Sequence, residues 1–283
     1  MWTPERLVKE AKTLSSLPTI YTRLNEAVSN PWSSNRDIAG IISEDAGLAA
    51  RLLRIANSAF YGFPSKIDTI TRAVTVIGTQ QLRDLALATS VINMFADMPN
   101  EVVSMESFWQ HSIACGVTAR ILASYRREPN VERFFVAGLL HDVGRLIIYS
   151  KMPDIACQAL EDSQSKNALL YEIEKEIMGF DHADVGGLLL RQWKIPENTV
   201  NAVAFHHKPS AIGEFQMDVS IVHIADIITN ALQIGSSGEI CVPSMDPNAW
   251  MQINLPKSIL SPSISELKRQ YDEAVKFVLP EAA

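Results

Sequence analysis

The sequence predicts an all-α protein built from many helices, on three observations. Apolar residues recur at helical spacing through most of the 283 residues. Helix-start residues (Ser, Thr, Asp and Pro) stand ahead of those runs. No convincing period-2 strand and no Asn-Gly hairpin interrupts them.

The elements follow in order. Thr3-Pro4 reads as a cap followed by proline at the first helical position, where its missing N–H costs nothing, and opens a helix to about residue 13. Leu17-Pro18 starts a second, which places Ile20, Leu24, Ala27 and Val28 on one face and ends at Asn30-Pro31. Ser34 and Asp37 stand at capping-box spacing for a short third helix through Ile42. Ser43 is expected to cap a fourth, over residues 44 to about 58, with Leu48, Leu52, Leu53 and Ala56 inside. Asn57-Ser58-Ala59-Phe60-Tyr61-Gly62-Phe63-Pro64 then reads as a loop or broken helix end. Its aromatics are either core or a partner-binding corner. A helix over 70–77 ends at Gly78, and Thr79 is expected to cap another to about residue 95. Asp97-Met98-Pro99-Asn100 is the clearest break.

A helix from about 104 to 124 carries His111, and residues 126–130 form a polar turn. One helix is expected over 131–149, and amphipathic helices over 153–164 and 169–178. Phe180-Asp181-His182 leads into a small-residue helix over 183–192, and Pro196 opens one that ends near His206-His207-Lys208-Pro209. The apolar helix 219–232 holds His223 and Asp226 on one face. Residues 235–261, with Pro243, Pro247 and Pro256, are expected to be irregular, and a stretch of that length is usually functional or mobile. Ser263 and Glu266 are expected to cap a terminal helix reaching residue 278.

Composition narrows the function. Apolar residues make up 47% and charged residues 20%, which suits a globular chain with a large core. Net charge is −7 with no long basic run, so nucleic-acid binding is not expected. Cys115, Cys157 and Cys241 form no C-x-x-C pair, and a reducing cytoplasm fits. No signal-peptide pattern and no membrane span are expected. With no receiver, kinase or membrane-sensor segment recognisable, a signal is expected to arrive by contact or as a soluble ligand.

The stretch from Val136 to Tyr149 is apolar nearly throughout, yet holds His141 and Asp142 at its middle. Burying both without partners costs several kcal/mol, roughly. Either they bond to each other at a helix kink or they share a metal ion, for which a neutral imidazole and a carboxylate are good ligands. All six histidines lie between 111 and 223. The order His111, His141-Asp142, His182, His206-His207, then Asp226 resembles the HD superfamily of metal-dependent phosphohydrolases. In the N-terminal half, Ile42-Ser43-Glu44-Asp45-Ala46-Gly47-Leu48 continues to Ile55-Ala56-Asn57-Ser58-Ala59. Ala73-Val74, Ile77-Gly78 and Leu82-Arg83-Asp84-Leu85 follow. These segments look like the HDOD domain, a bacterial signalling module on an HD-related core.

That resemblance implies an HDOD domain over 12–233, with an N-terminal helical bundle (12–98) packed on an HD-like core (104–233). A C-terminal segment covers 234–283. It implies a divalent metal site for one or two iron, manganese or zinc ions. His111, His141, Asp142 and Asp226 would hold the first ion, with His182, His206 and His207 at the second. Asp142 and Arg145 would serve catalysis: hydroxide available near neutral pH attacks phosphorus while Arg145 holds the phosphoryl oxygens. Arg145 reads equally as an exposed ion pair at a helix end. His223 is either a core histidine or a partner behind Asp226.

Lys208-Pro209 follows the His pair where the HD-GYP branch has Gly-Tyr-Pro, and Arg145 replaces its lysine, so cyclic di-guanylate hydrolysis is not implied. The resemblance favours a cytoplasmic regulatory module with a signalling protein partner or a small phosphorylated ligand. The alternative is an active phosphohydrolase on a nucleotide or other phosphate ester.

Overall fold

The structure, a computed structural model, describes residues 2–11, 17–58, 60–213 and 216–278. Among these residues every regular element is a helix. The chain divides into two compact units, one of Leu17–Ala96 with Lys268–Ala283 and a larger one of Met1–Ser16 with Asp97–Leu267.

Helix α1 (Pro4–Glu10) belongs to the larger unit; the Thr3 hydroxyl accepts from the Arg6 N–H at 3.3 Å. Its expected end near residue 13 lies outside the described residues.

The smaller unit holds α2 (Thr19–Ser29), α3 (Asn35–Ser43), α4 (Ala46–Ala56), α5 (Ile70–Ile77) and α6 (Thr79–Met94). Ser34 and Asp37 close the capping box in both directions. Ser43 does not cap α4. It ends α3, and its hydroxyl bonds back to the Ala39 carbonyl (2.8 Å), while Asp45 takes the cap and accepts from the Leu48 N–H (2.9 Å). Thr79 likewise opens α6 without capping it; the cap position falls to Gly78.

The Asn57–Pro64 corner is built mainly on one amide. Asn57 Oδ1 accepts from the Ile67 N–H (2.7 Å), and Nδ2 donates to the Ile67 and Leu53 carbonyls (2.7 and 2.8 Å). Phe60 is buried, whereas Tyr61 and Phe63 are half-buried and stacked with centroids 5.5 Å apart.

The larger unit continues with α7 (Met105–Arg126), α8 (Glu132–Leu140), α9 (Val143–Lys151), α10 (Pro153–Lys166), α11 (Leu170–Met178), α12 (His182–Gln192) and α13 (Glu197–Ala204). Then come α14 (Gln216–Ala231), α15 (Pro247–Ile253) and α16 (Leu260–Val278), with single 3₁₀ turns at Pro209–Ala211 and Lys257–Ile259. The unit boundary falls within α16. Helix α7 packs on α8 and α14, α12 on α9 and α13, and α13 also on α8 and α14. Glycine permits a close approach here: a Cβ on Gly138 would sit 2.8 Å from Gly116 Cα and 2.9 Å from the Cys115 carbonyl, so α7 and α8 meet backbone to backbone.

Three further expectations need correction. The single helix over 131–149 is broken at His141-Asp142 into α8 and α9. The His141 ring takes the Gly138 carbonyl at 2.7 Å, an acceptor an unbroken helix would use itself, and Asp142 leaves helical geometry at φ −98°, ψ 8°. Residues 235–261 are not irregular throughout: Asp246 caps α15 with Pro247 at its first position. Ala249 and Ile253 join the core formed by Cys115, Phe134 and Ile221. The terminal helix starts at Leu260, so Ser263 lies inside it, buried, and is not its cap.

Candidate metal centre

Five places in the helical framework bring the predicted residues together in the larger unit. His111 projects from the middle of α7, and His141-Asp142 sits at the α8–α9 break. His182 opens α12, held there by the Asp181–Asp184 capping box, and His206-His207 follow the end of α13. Asp226 lies on α14. Gly144 makes the convergence possible, because a Cβ there would collide with the His182 carbonyl and sit 2.7 Å from Gly186 N.

Asp142 is central. Its Oδ1 lies 3.0 Å from His182 Nε2 and 3.9 Å from His206 Nε2, and its Oδ2 lies 3.1 Å from His141 Nε2 and 3.8 Å from His111 Nε2. Asp226 Oδ1 stands 3.2 Å from His111 Nε2 and 3.4 Å from His141 Nε2. His207 Nε2 is 3.0 Å from His182 Nε2, with Tyr171 stacked on its ring. His111, His141, Asp142, His182, His206 and Asp226 are buried and His207 partly so.

The tautomers follow from the outward bonds. A carbonyl only accepts, so Nδ1 carries the proton in His141 (to Gly138 O, 2.7 Å) and in His206 (to Val203 O, 2.8 Å). His182 Nδ1 meets the Glu174 carboxylate at 2.6 Å, and Glu174 also accepts the His182 backbone N–H (2.9 Å). The Nε2 edges of all three imidazoles therefore face inward. His111 Nδ1 and Nε2, His141 Nε2, His206 Nε2 and Asp142 Oδ1 are buried without a hydrogen-bond partner. Unpartnered buried polar atoms converging on one point are what a cation would satisfy. Three sets lie with their donor atoms within 4.8 Å of one another: His111, His141 and Asp226; His141, Asp142 and His206; and His182, His206 and His207. Mixed imidazole and carboxylate donors suit iron, manganese or zinc. The residues present fit such an ion.

The charges are strongly biased. Burial disfavours a charged Asp142, but Arg145, His141 and His182 outweigh it and hold its carboxyl well below the usual range. Asp226 is likewise buried, yet the His111 and His141 rings beside it hold its carboxyl well below the usual range. Burial opposes the charge on His141, and Asp142 reverses this and raises it well above the ordinary value. For His182, burial and Arg145 act downward, but Glu174 and Asp142 carry it up to about 9. Burial, then the charged His141 and His182, push His206 down to about 3. Burial, then His206 and His182, lower His207 as well.

Arg145 is not an exposed ion pair. Its side chain is 1% exposed, with Nε 3.5 Å from Asp142 Oδ1 and 3.9 Å from Glu174 Oε1. Its Nη1 donates to the Ser237 hydroxyl (2.9 Å) and carbonyl (3.2 Å). His223 does not face the cluster: its Nδ1 donates to the His206 carbonyl (2.7 Å) and its Nε2 accepts the Asp246 N–H (2.9 Å), tying the α15 entry to the His206 backbone.

Sequence reasoning missed Glu174, Tyr149 and Ser237. Glu174 sits on the buried side of an amphipathic helix, a displaced charge that was readable; nothing marks Ser237 in a loop of serines and glycines.

The HDOD domain profile matches residues 14–209. An uncharacterized protein of Treponema pallidum (strain Nichols) is 26% identical over 216 residues, covering 76% of this chain. The chain spans 42% of that relative's length. An HDOD domain protein of unknown function from Geobacter sulfurreducens has a similar crystal structure (TM-score 0.76, 24% identity, 95% of this chain and 97% of that one). So has a candidate phosphohydrolase from Shewanella amazonensis SB2B (TM-score 0.72, 26% identity, 96% and 98%). With the profile spanning most of the chain and the fold shared end to end, the chain belongs to the HDOD domain family.

Proposed function

We propose that this chain is a regulatory module whose HD-type site binds one or two divalent ions as a structural or ligand-sensing element. The observation that carries this is a donor set that is complete and also closed. His111, His141, Asp142, His182, His206 and Asp226 are each no more than 5% exposed. The Ser237 hydroxyl lies between Asp142 and Arg145, bonded to both. When bound, a divalent ion supplies positive charge and Lewis acidity to this pocket. Around it, Glu174 and the Gly138 and Val203 carbonyls orient the imidazoles, Arg145 offers charge to an anion, and the packed helices exclude water.

The signal would be a small phosphorylated ligand or a protein partner. No helix among the described residues is long and apolar enough to cross a membrane. Membership in a family related to the HD-type phosphohydrolases, together with Arg145 beside Asp142, supports a second reading as a phosphohydrolase. A phosphate-ester screen on manganese- or iron-loaded protein separates the two. The regulatory reading expects no turnover above the Asp142→Ala variant, and turnover lost in that variant while its helicity persists would establish the enzyme.

A further inference from the structure

Ser237 is fully buried in the strap that follows α14. Its hydroxyl donates to Asp142 Oδ2 and accepts from Arg145 Nη1 at 2.9 Å. Its carbonyl accepts from Arg145 Nη1 (3.2 Å) and from the Tyr149 hydroxyl (2.6 Å). Two oxygens of one residue thus sit on two buried donors, beside the central carboxylate of the metal cluster. The strap is anchored away from these atoms. The Ser236 N–H donates to the Ser107 carbonyl and hydroxyl (3.1 and 2.9 Å). The Glu239 carboxylate accepts the N–H groups of Leu170, Ile240 and Cys241 (2.9, 3.0 and 2.9 Å).

Arg145 and Tyr149 cannot give up these acceptors without leaving buried donors unpaired. The strap can therefore leave only when something else supplies acceptor oxygens. Hydrogen phosphate or a phosphate monoester monoanion does so: two of its oxygens can face the guanidinium and the tyrosine hydroxyl, and its P–OH can donate to the Asp142 carboxylate in place of the Ser237 hydroxyl. We propose that Arg145 and Tyr149 form an oxyanion subsite that the chain itself occupies with Ser237, and that inorganic phosphate or a phosphate monoester binds there by displacing the strap 235–241. Ile240 and Val242, exposed just past the Glu239 anchor, move with the strap and present ligand occupancy at the surface. This inference rests on the ligand-sensing reading above and names the ligand class and the moving part.

The test uses full-length protein, with and without manganese, and inorganic phosphate as the probe. Glu239→Gln loosens the anchor but also removes a negative charge that acts on Arg145, so Ser237→Ala, which keeps that charge and removes the occupying hydroxyl, is read beside it. Both variants are expected to bind phosphate at least tenfold more tightly than the wild type, by calorimetry. Saturating phosphate is expected to speed amide hydrogen exchange across 235–241 in the wild type. Phosphate affinities within twofold of wild type in both variants, or exchange at 235–241 unchanged by phosphate, overturn the proposal. Metal content is measured on the same samples. Absence of metal from every sample would sink the metal reading alone, and the phosphate titration on metal-free protein would still decide the strap.

Discussion

His141, His182 and His206 each have a ring nitrogen engaged outside the cluster, and that engagement is where single substitutions act. Glu174 bonds to both the ring and the backbone N–H of His182. Glu174→Gln is expected to keep the fold by circular dichroism and to lower metal affinity by about 10- to 100-fold, read by chelator competition. An unchanged affinity would remove Glu174 from any positioning role. His182 also sets a pH dependence. Its pKa is raised from 6.5 to about 9, so its contribution to stability is full below pH 6.5 and is lost as pH rises through 9. Metal-free protein should lose melting temperature across that window. Saturating manganese should cancel the loss, because metal binding displaces the proton and tightens as pH rises. The seven His and Asp candidates stood out because such residues are conspicuous in apolar helices, and the family resemblance grouped them with Arg145. Ser237 was not, because its role comes from a carbonyl and a hydroxyl brought in by a loop 95 residues after Asp142.

At the scale of elements, the α9–α12 crossing depends on having no side chain at Gly144. Gly144→Ala is expected to destabilise by at least about 2 kcal/mol in urea unfolding, since backbone atoms of α12 cannot yield as a flexible side chain would. Gly40→Ala in α3 is the matched control: nothing lies within 4 Å of its added Cβ, and helix propensity alone should make it neutral or stabilising by up to about 1 kcal/mol. Capping signals at Thr3 and Ser34 placed α1 and α3 correctly because they are local. A kink at His141-Asp142 was one of the two sequence readings, but the full break into α8 and α9 was not legible, because its cause is a ring bonding to the carbonyl three residues earlier, in a run whose hydrophobicity reads as continuous. Asp246-Pro247 was a readable helix start, obscured by two neighbouring prolines that do break structure.

Over the whole molecule, every residue of the candidate centre lies in the larger unit. Metal at a hundredfold excess over its dissociation constant should add about 2.7 kcal/mol to the stability of that unit. Hydrogen exchange should slow in α7, α9, α12 and α14. The all-helical class was readable because its periodicity repeats along the chain. That α1 packs on α9 and α12 was not, since nothing local links residues 4–10 to helices more than a hundred positions on. The most direct test of the central claim is metal content per chain, on protein purified without chelator or metal-binding tag, with Asp142→Ala beside it. The wild type is expected to carry about one or two equivalents of iron, manganese or zinc, and the variant to lose most of it. A value near zero in the wild type, unchanged after incubation with each metal, would contradict that claim.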